Sequence, residues 1–343
     1  FFDFETQEPE SVVSTLKGMM ETDWAKNIEG TKSLFAYQFN GTNKATHSVQ
    51  FCFPSEVAFD NFMTSWYGSV QAQVFGEKMN KSYALVTGAT AGIGLDIAKE
   101  LAKKGHNIIL TARREDRLKD ISAQLIEDFD IHCDYVAADL SDINAPETIY
   151  RFCSDRQYLV EILVNNAGYS INKKFHETPE EEEEKFLRVL GISVIALTKK
   201  FIPAMLEQQY GKIMIVSSLA SFAPPSSGWG ALYGPVKTFV NRFGDAININ
   251  YRSKGITSTN VCPGFTVTEF HTASGMQDAM DKVPTFMKKD SQSVAVGAVN
   301  AMMQGKSVWV PGLLNKFLAF ICNVLPASLV IRMSSNLAGG RYE

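Results

Sequence analysis

Tyr233 and Lys237 are the residues of this chain whose types and spacing best suit proton transfer. Four residues apart on a helix, their side chains would project from one face. A tyrosine with its ordinary pKa of about 10 exchanges protons poorly near neutral pH, and a neighbouring ammonium would lower that pKa. The pair Ser217-Ser218 ends an apolar run earlier in the chain, where a hydroxyl could hydrogen-bond a substrate oxygen. The set predicts a proton donor and acceptor directed at a substrate oxygen.

A glycine-rich turn nearer the N-terminus predicts phosphate binding. The apolar run Ala84–Val86 leads into Thr87–Gly94, and helix-forming Leu95–Lys104 follows. Gly92 would let the backbone approach a pyrophosphate closely, and Gly94 would let the helix pack on the strand. The free N–H groups and positive dipole end of that helix would then face the phosphates. A strand, a turn and a helix in this order are the context that a dinucleotide site requires.

Short apolar strands alternate with helical stretches from Ser82 onward, which indicates parallel βαβ units. Near-continuous apolar strands such as Ile213–Val216 indicate a sheet covered on both faces. The predicted fold class is therefore α/β, with a doubly wound parallel sheet of the Rossmann type. The predicted strands are Tyr83–Thr87, Asn107–Thr111, His132–Ala138, Ile162–Asn165, Lys212–Ser217 and Thr257–Cys262, with a last one near Ser307–Val310.

Five motifs in chain order resemble those of the short-chain dehydrogenase/reductase (SDR) family, classical type. They are Thr87-Gly-x-x-x-Gly-x-Gly94, Asn165-Asn166-Ala167-Gly168, Ser217-Ser218, Tyr233-x-x-x-Lys237 and Pro263–Thr268. The resemblance covers the chain from about Ser82 onward, and Arg113–Leu118 and Pro311-Gly312 are most similar to general carbonyl reductases. It implies an oxidoreductase that interconverts a ketone or aldehyde and an alcohol with a nicotinamide dinucleotide.

The resemblance also implies roles for individual residues. Tyr233 would be the general acid/base, and Lys237 would lower its pKa and bind the nicotinamide ribose. Ser218, rather than Ser217, matches the family's catalytic serine and would bind the substrate oxygen. The implied cofactor contacts are Thr87, Gly88, Gly92, Ile93, Gly94, Arg113, Asp139, Leu140, Asn165, Ala167, Gly168, Tyr233, Lys237, Pro263, Gly264 and Thr266.

The end of the second strand bears on the choice of cofactor. An acidic residue there would bind the ribose 2′-hydroxyl of NAD, whereas this chain has Arg113, placed to meet the 2′-phosphate of NADP. NADP(H) is therefore favoured, and Glu115 and Asp116 close by keep NAD(H) open. Asp139-Leu140 would contact the adenine edge, and Asn165 and Ala167 the nicotinamide side.

Two positions depart from the family pattern. Many members carry an asparagine, which anchors a proton-relay water, at the position that is Leu190 here. Gly234-Pro235 lies inside the Tyr-Lys segment, and proline in a helix interior costs about 3 kcal/mol unless it falls in the first turn. We therefore expect the regular helix to begin close to Tyr233. The departures motivate an alternative of another class, a cofactor-bound or inactive scaffold subunit within a larger assembly.

Residues 1–80 differ in pattern and predict a small α+β domain with a linker, ahead of the SDR domain over residues 81–343. Strand, helix, strand, strand and helix follow one another, with a turn signal at Asn40–Asn43, and this order is similar to a ferredoxin-like fold. Because the chain begins at Phe1 rather than Met, we expect a processed or trimmed product. The compartment stays open among the cytoplasm, an organelle such as a plastid, and a membrane surface.

The amino-acid composition narrows the classes of partner that this chain is expected to bind. Lys and Arg number 33 against 37 Asp and Glu, a net charge of −4 without the basic excess of a nucleic-acid surface. The dispersed cysteines and histidines predict reduced thiols and no metal site. The segment His271–Lys289 occupies the family's substrate-lid position, and its Met and Phe residues favour an apolar small-molecule substrate.

The C-terminal apolar stretch and the subunit arrangement leave alternatives open. Phe317–Ile331 is shorter than the ~20 residues that span a bilayer, so a docked helix, a subunit contact and a shallow membrane contact all fit. The family commonly pairs through its fourth and fifth helices, which leaves a homo-oligomer or a larger protein assembly open.

Overall fold

The computed structural model describes residues 82–332, apart from 223–229, 271–273, 276, 327 and 331, together with two short strands before them. The chain divides into units of residues 1–80 and 81–343. In the first unit, β1 (Lys32–Leu34) pairs antiparallel with β2 (Gln50–Cys52), on either side of the predicted turn. The rest of the ferredoxin-like prediction lies outside the described residues and stays a prediction.

The second unit alternates strands with helices. Its strands are β3 (Ser82–Thr87), β4 (Asn107–Ala112), β5 (Cys133–Ala137), β6 (Leu159–Asn165), β7 (Gly211–Val216), β8 (Ile256–Val261), β9 (Thr266–Val267), β10 (Lys289–Asp290) and β11 (Val308–Trp309). Its helices are α1 (Gly92–Lys103), α2 (Glu115–Phe129), α3 (Ala145–Asp155), α4 (Glu180–Leu187), α5 (Ser193–Glu207), α6 (Tyr233–Tyr251), α7 (Gln277–Asp281), α8 (Ser291–Met303) and α9 (Leu313–Val324).

Seven strands form one parallel sheet in the order β11-β8-β7-β6-β3-β4-β5. Each predicted strand has its counterpart, and the largest difference in a boundary is Leu159 in place of Ile162 at the start of β6. The chain leaves β3 towards β4 and β5 on one side and then returns to build β6, β7 and β8 on the other. Such a reversal of strand order opens a crevice at the carboxyl ends of the central strands.

Alternate residues of the central strands serve two separate cores, as expected for a sheet covered on both faces. Leu85 of β3 packs in a cluster with Phe201 of α5 and Val240 of α6. Its neighbour Val86 packs in a second cluster with Ile97 of α1, which also includes residues of α2 and α8. The Rossmann-type fold predicted from the sequence is thus confirmed, with helices in layers on both sides of the sheet.

The helix from Glu180 to Glu207 is, within the described part of the chain, the one helix long and apolar enough to cross a membrane. It comprises α4, a π-helical segment over Arg188–Ile192, and α5. Leu197 and Phe201 of α5 lie in the core beside the sheet. The apolar composition of this helix therefore serves the packing of the domain.

Candidate active site

A cleft of about 920 Å³ opens at the carboxyl ends of the central strands. It lies at the crevice that the strand order predicts. Of the predicted site residues, the cleft is lined by Gly88, Gly92, Ile93, Gly94, Arg113, Asp139, Leu140, Ala167, Gly168, Ser218, Tyr233, Lys237, Pro263, Gly264 and Thr266. The structure therefore brings almost the whole predicted set to one place.

The glycine-rich turn forms a cradle at the floor of the cleft. Gly88 has a φ of +66°, a backbone conformation that side chains strongly disfavour. A Cβ atom at Gly94 would lie 2.4 Å from the carbonyl oxygen of Gly88, so the turn and α1 can pack this closely only with glycine there. Ala91, at the cap position of α1, has no side-chain oxygen to cap the first amides. Backbone N–H groups at a helix start bind phosphate, so the cradle fits the pyrophosphate of a dinucleotide.

Two predicted contacts, Thr87 and Asn165, lie behind the wall of the cleft. Thr87 is buried, and its hydroxyl accepts hydrogen bonds from the N–H groups of Asn166 (2.9 Å) and Ala167 (3.1 Å). Asn165 is buried and faces Thr198 of α5, at 3.4 Å between Nδ2 and Oγ1. Both side chains form hydrogen bonds within the cleft wall, so the expectation that they line the cleft is wrong.

Asn166 takes the place expected for Asn165. It lines the cleft, and its Nδ2 donates to the carbonyl oxygens of Thr87 (2.9 Å) and Gly88 (3.1 Å). The amide thereby fastens the glycine turn to the end of β6. β6 ends at Asn165, as predicted, but the side chain of Asn165 faces α5 and that of Asn166 faces the cleft, which the position of the strand end alone does not decide.

Two arginines at the end of β4 have different surroundings. Arg113 is exposed at the rim of the cleft. Arg114 donates from Nη2 to Thr90 Oγ1 at 3.1 Å and lies 3.5 Å from the carboxylate of Glu269. Glu269 also pairs with Arg117 at 3.2 Å. Arg113 therefore keeps the position from which a guanidinium could meet a 2′-phosphate, while Arg114 joins the glycine turn to the loop after β9.

Ser218, Tyr233 and Lys237 converge on the opposite wall. Ser218 starts a single 3₁₀ turn over Leu219–Ser221, and the Tyr233 hydroxyl is hydrogen-bonded to the Ser218 side chain. Lys237 is buried, donates from Nζ to the carbonyl oxygen of Val216 at 2.8 Å, and lies 5.7 Å from the centre of the Tyr233 ring. A hydroxyl pair and a cation thus share one wall, an arrangement suited to passing a proton to a substrate oxygen.

The proline in the Tyr-Lys segment is accommodated by the start of the helix. α6 begins at Tyr233 with Leu232 at the cap position, so Pro235 falls in the first turn, where an N–H has no intrahelical partner. The first helical bond nearby runs from Val236 N–H to the Leu232 carbonyl at 2.9 Å. The expected helix start is confirmed, and Tyr233 and Lys237 lie on one face.

Burial has the largest effect on the pKa values of Tyr233 and Lys237. It raises the pKa of Tyr233 to about 12, with the hydrogen bond from Ser218 acting in the opposite direction. It lowers the pKa of Lys237 to about 8, against a smaller raising effect of the nearby Cys262. The sequence argument that the ammonium would lower the pKa of the tyrosine omitted desolvation, which is the larger effect for both groups here.

Leu190 lies inside the π-helical segment and is buried. Its side chain faces Gly168, where a Cβ atom would lie 3.6 Å from the leucine Cγ. The position therefore packs against the loop after β6 and offers no side-chain hydrogen bond. π-Helical turns inside α-helices are often found at functional sites, and this one borders the cleft.

Sequence reasoning missed several residues that line the cleft. Tyr169, Lys185 and Phe270 are among them, with Phe270 6.3 Å from Tyr233 between ring centres. Lys185 comes from α4 and pairs with Glu181 at 2.6 Å, beside the charge of Asp139. Tyr169 directly follows a recognised motif and could have been found, whereas Lys185 and Phe270 reach the cleft only through the tertiary fold.

The family model of short chain dehydrogenases matches residues 82–279 of this chain. The chain belongs to this family. Family membership makes this dehydrogenase an NAD(P)-dependent short-chain dehydrogenase/reductase, an oxidoreductase of carbonyls and alcohols.

Relatives extend the comparison. The dehydrogenase is 30% identical over 261 residues to the very-long-chain 3-oxoacyl-CoA reductase of Anas platyrhynchos, covering 74% of this chain and 78% of that one. It is 32% identical over 187 residues to a probable NADP-dependent dehydrogenase of Haemophilus influenzae, covering 54% and 72%. A solved short-chain dehydrogenase from Sphingobium yanoikuyae in complex with NADPH superposes with a TM-score of 0.63 at 23% identity, covering 71% and 96%. This structural similarity shows that the two chains share a fold.

The lowered pKa of Lys237 predicts the pH dependence of carbonyl reduction by this dehydrogenase. Tyr233, with a pKa of about 12, stays protonated, while Lys237 loses its positive charge as the pH rises through about 8. We expect kcat for reduction to be level below pH 8 and to fall by about tenfold per unit above it. In Lys237→Arg, whose guanidinium stays charged, the residual activity should lack this fall. An identical fall of kcat in Lys237→Arg would contradict the assignment of this pH dependence to the Lys237 ammonium.

Proposed function

We propose that this chain is an NADP(H)-dependent reductase of an apolar ketone or aldehyde, in which Tyr233, Lys237 and Ser218 act on the carbonyl oxygen. The observation that carries the proposal is the convergence of these three side chains on one wall of a cleft whose floor is a phosphate cradle. NADP(H) is the favoured cofactor because Arg113 stands exposed at the end of β4.

The roles follow from the hydrogen bonds. When bound, the nicotinamide supplies a hydride to the carbonyl carbon. Ser218 donates a hydrogen bond to the carbonyl oxygen and orients it towards Tyr233. The Tyr233 hydroxyl gives its proton to that oxygen as the C–O double bond becomes single, and the alcohol forms. The Lys237 ammonium stabilises the resulting tyrosinate until a proton returns from solvent.

The substrate end of the cleft is apolar. Leu219, Phe265 and Phe270 line it near Tyr233. Ser274 and Gly275, which follow β9, are bound to the loop after β6: Ser274 Oγ accepts the N–H of Ser170 at 3.0 Å, and Asn172 Nδ2 donates to the carbonyl oxygen of Gly275 at 2.8 Å. The apolar lining residues favour a carbonyl that carries a bulky apolar group. The 3-oxoacyl-CoA reductases among its relatives make a long-chain 3-oxoacyl thioester the first compound of this class to test.

Cofactor selectivity tests the role of Arg113. A charge-assisted bond to a 2′-phosphate is worth about 1.5–3 kcal/mol, so NADPH should bind about 10- to 100-fold more tightly than NADH. Arg113→Ala should abolish most of that difference. Arg117→Ala is the matched control, since Arg117 is also charged and exposed but does not itself line the cleft and pairs instead with Glu269. Nicotinamide fluorescence titrations measure the affinities of the wild-type chain and both variants for NADPH and NADH, and NADH preference in the wild-type chain would show that Arg113 is misassigned.

Activity tests the proposed role of Tyr233. With NADPH and a panel of a long-chain 3-oxoacyl-CoA, a bulky apolar ketone and a small polar ketone, we expect turnover to be highest with the two apolar compounds. Tyr233→Phe should lower kcat by about 10²- to 10⁴-fold, because the proton donor is lost, and leave NADPH affinity near its wild-type value. Turnover unchanged in this variant would exclude Tyr233 as the acid. A wild-type chain that binds NADPH and reduces no carbonyl would overturn the proposed function.

We also propose that α9 contacts an anionic membrane surface. Leu313, Phe317, Phe320 and Val324 form a row on one face of the helix, with exposed fractions of 84%, 60%, 61% and 60%. From Pro311 to Arg332 the charged residues are two cations and no anion. An exposed apolar row with basic residues nearby suits an interfacial helix on anionic lipid.

Vesicle binding tests this contact. The wild-type chain should sediment with phosphatidylcholine vesicles that contain phosphatidylserine more than with phosphatidylcholine alone. The double variant Phe317→Ser, Phe320→Ser should lose that binding, because the buried apolar area is lost. Phe175→Ser, which removes a phenylalanine of equal exposure elsewhere, should retain it. Concentration-dependent dimerisation through the same row without vesicle binding would replace the lipid surface by a second copy of the chain.

A further inference from the structure

A group of buried polar side chains lies behind the Ser218 turn and is not used in the proposed chemistry. Asn241 of α6 and Ser221 of the 3₁₀ turn are each 8% exposed, and Cys262 at the end of β8 is fully buried. Asn241 follows Lys237 by one helical turn and Tyr233 by two, so it lies on the helix that carries the predicted catalytic pair.

A chain of two hydrogen bonds runs from Asn241 through Ser221 to Ser218. Asn241 Nδ2 donates to Ser221 Oγ at 2.6 Å, and Ser221 Oγ donates to the main-chain carbonyl oxygen of Ser218 at 2.7 Å. Thr238, also on α6, donates from Oγ1 to the carbonyl oxygen of Ser221 at 2.9 Å. The turn that presents Ser218 is thus fastened to α6 at two points.

Asn241 also forms hydrogen bonds with residues at the carboxyl end of β8. Its Nδ2 lies 3.6 Å from Cys262 Sγ, whose S–H donates to Asn241 Oδ1 at 3.7 Å. Its main-chain carbonyl accepts from Asn260 Nδ2 at 2.9 Å. Asn241 therefore ties α6 to the serine turn and to the carboxyl end of β8, where Pro263 and Gly264 enter the cleft wall.

We infer that Asn241 is a positioning residue that, through Ser221, holds Ser218 within hydrogen-bonding reach of Tyr233. The inference rests on the proposed function. Tyr233 and Lys237 are set by α6 itself, whereas Ser218 belongs to a separate turn and needs a tether to the same helix. Without the carboxamide, the Ser221 hydroxyl loses its donor, and the attachment of the Ser218 turn to α6 is weakened at one of its two points. Misplacement of a reacting group by about 1 Å can lower a rate by about 10²-fold.

Asn248 supplies a matched control on the same helix. It is likewise 8% exposed and ties α6 to β8, since its Nδ2 donates to the Ser258 carbonyl at 2.7 Å and its Oδ1 accepts the Ser258 N–H at 2.9 Å. Those bonds join the middle of the strand, not the Ser218 turn. Loss of either amide removes buried hydrogen bonds, but only the loss of Asn241 bears on Ser218.

The experiment compares kcat, KM and NADPH affinity for Asn241→Ala, Asn248→Ala, Ser218→Ala and the double variant Ser218→Ala, Asn241→Ala, with a carbonyl that the wild-type chain reduces. We expect Asn241→Ala to lower kcat by about 10- to 100-fold, with KM and NADPH affinity near wild type. Asn248→Ala should keep kcat near wild type. The double variant should be no slower than Ser218→Ala alone, because Asn241 acts through that serine.

Other results would overturn the inference. Equal loss of kcat in Asn241→Ala and Asn248→Ala would mean that both amides only support the fold. A loss that persists in the Ser218→Ala background would mean that Asn241 acts by another route. If Asn241→Ala does not fold, Ser221→Ala removes the middle of the same chain and should reproduce the kcat effect. Absence of carbonyl reduction by the wild-type chain would overturn the proposed function instead.

Discussion

Lys237 places an ammonium group inside the protein, and this buried cation constrains the rest of the site. Burying a charge costs free energy that only close polar partners can offset. Here the Val216 carbonyl accepts from Nζ at 2.8 Å, and the pKa falls to about 8. That carbonyl is available because β7 ends at Val216. The end of the central strand thus fixes where this positive charge can lie, and Tyr233, the proposed proton donor, precedes Lys237 by one helical turn.

The start of α6 meets that requirement. A helix that began a turn earlier would place Pro235 in its interior, where the missing N–H and the ring would disrupt it. Beginning at Tyr233, the helix has its proline where no intrahelical bond is due, and Tyr233 and Lys237 share a face. Ser218 reaches the same wall from the strand side, through a single 3₁₀ turn. Ser218 therefore meets Tyr233 and Lys237 because the end of β7 and the start of α6 lie close together in space.

The parts of this arrangement that depend on local pattern could be predicted from the sequence. The glycine turn, the strand ends and the helix start at Tyr233 each follow from short-range backbone chemistry. The parts that depend on orientation or on distant contacts could not be predicted in this way. Asn166 lines the cleft in place of Asn165 because the Asn165 side chain is buried against Thr198 of α5, a contact distant in sequence. Lys185 reaches the cleft from α4, and the raised pKa of Tyr233 reflects desolvation, which no spacing reveals.

The two ends of the cleft are built by different means, and this explains why the chemistry is easier to infer than the substrate. The cofactor end consists of a glycine turn and strand termini, whose geometry is dictated by the sheet and is shared by relatives of low identity. The proposed substrate end includes Phe265 and Phe270 on either side of β9, a strand that does not belong to the main sheet. Asn315 of α9 is buried against Gly264, where a Cβ atom would lie 2.7 Å from its Nδ2. A helix with an apolar outer row is therefore packed directly on a wall of the cleft. A contact made by that row therefore acts on a helix that touches the cleft wall at Gly264.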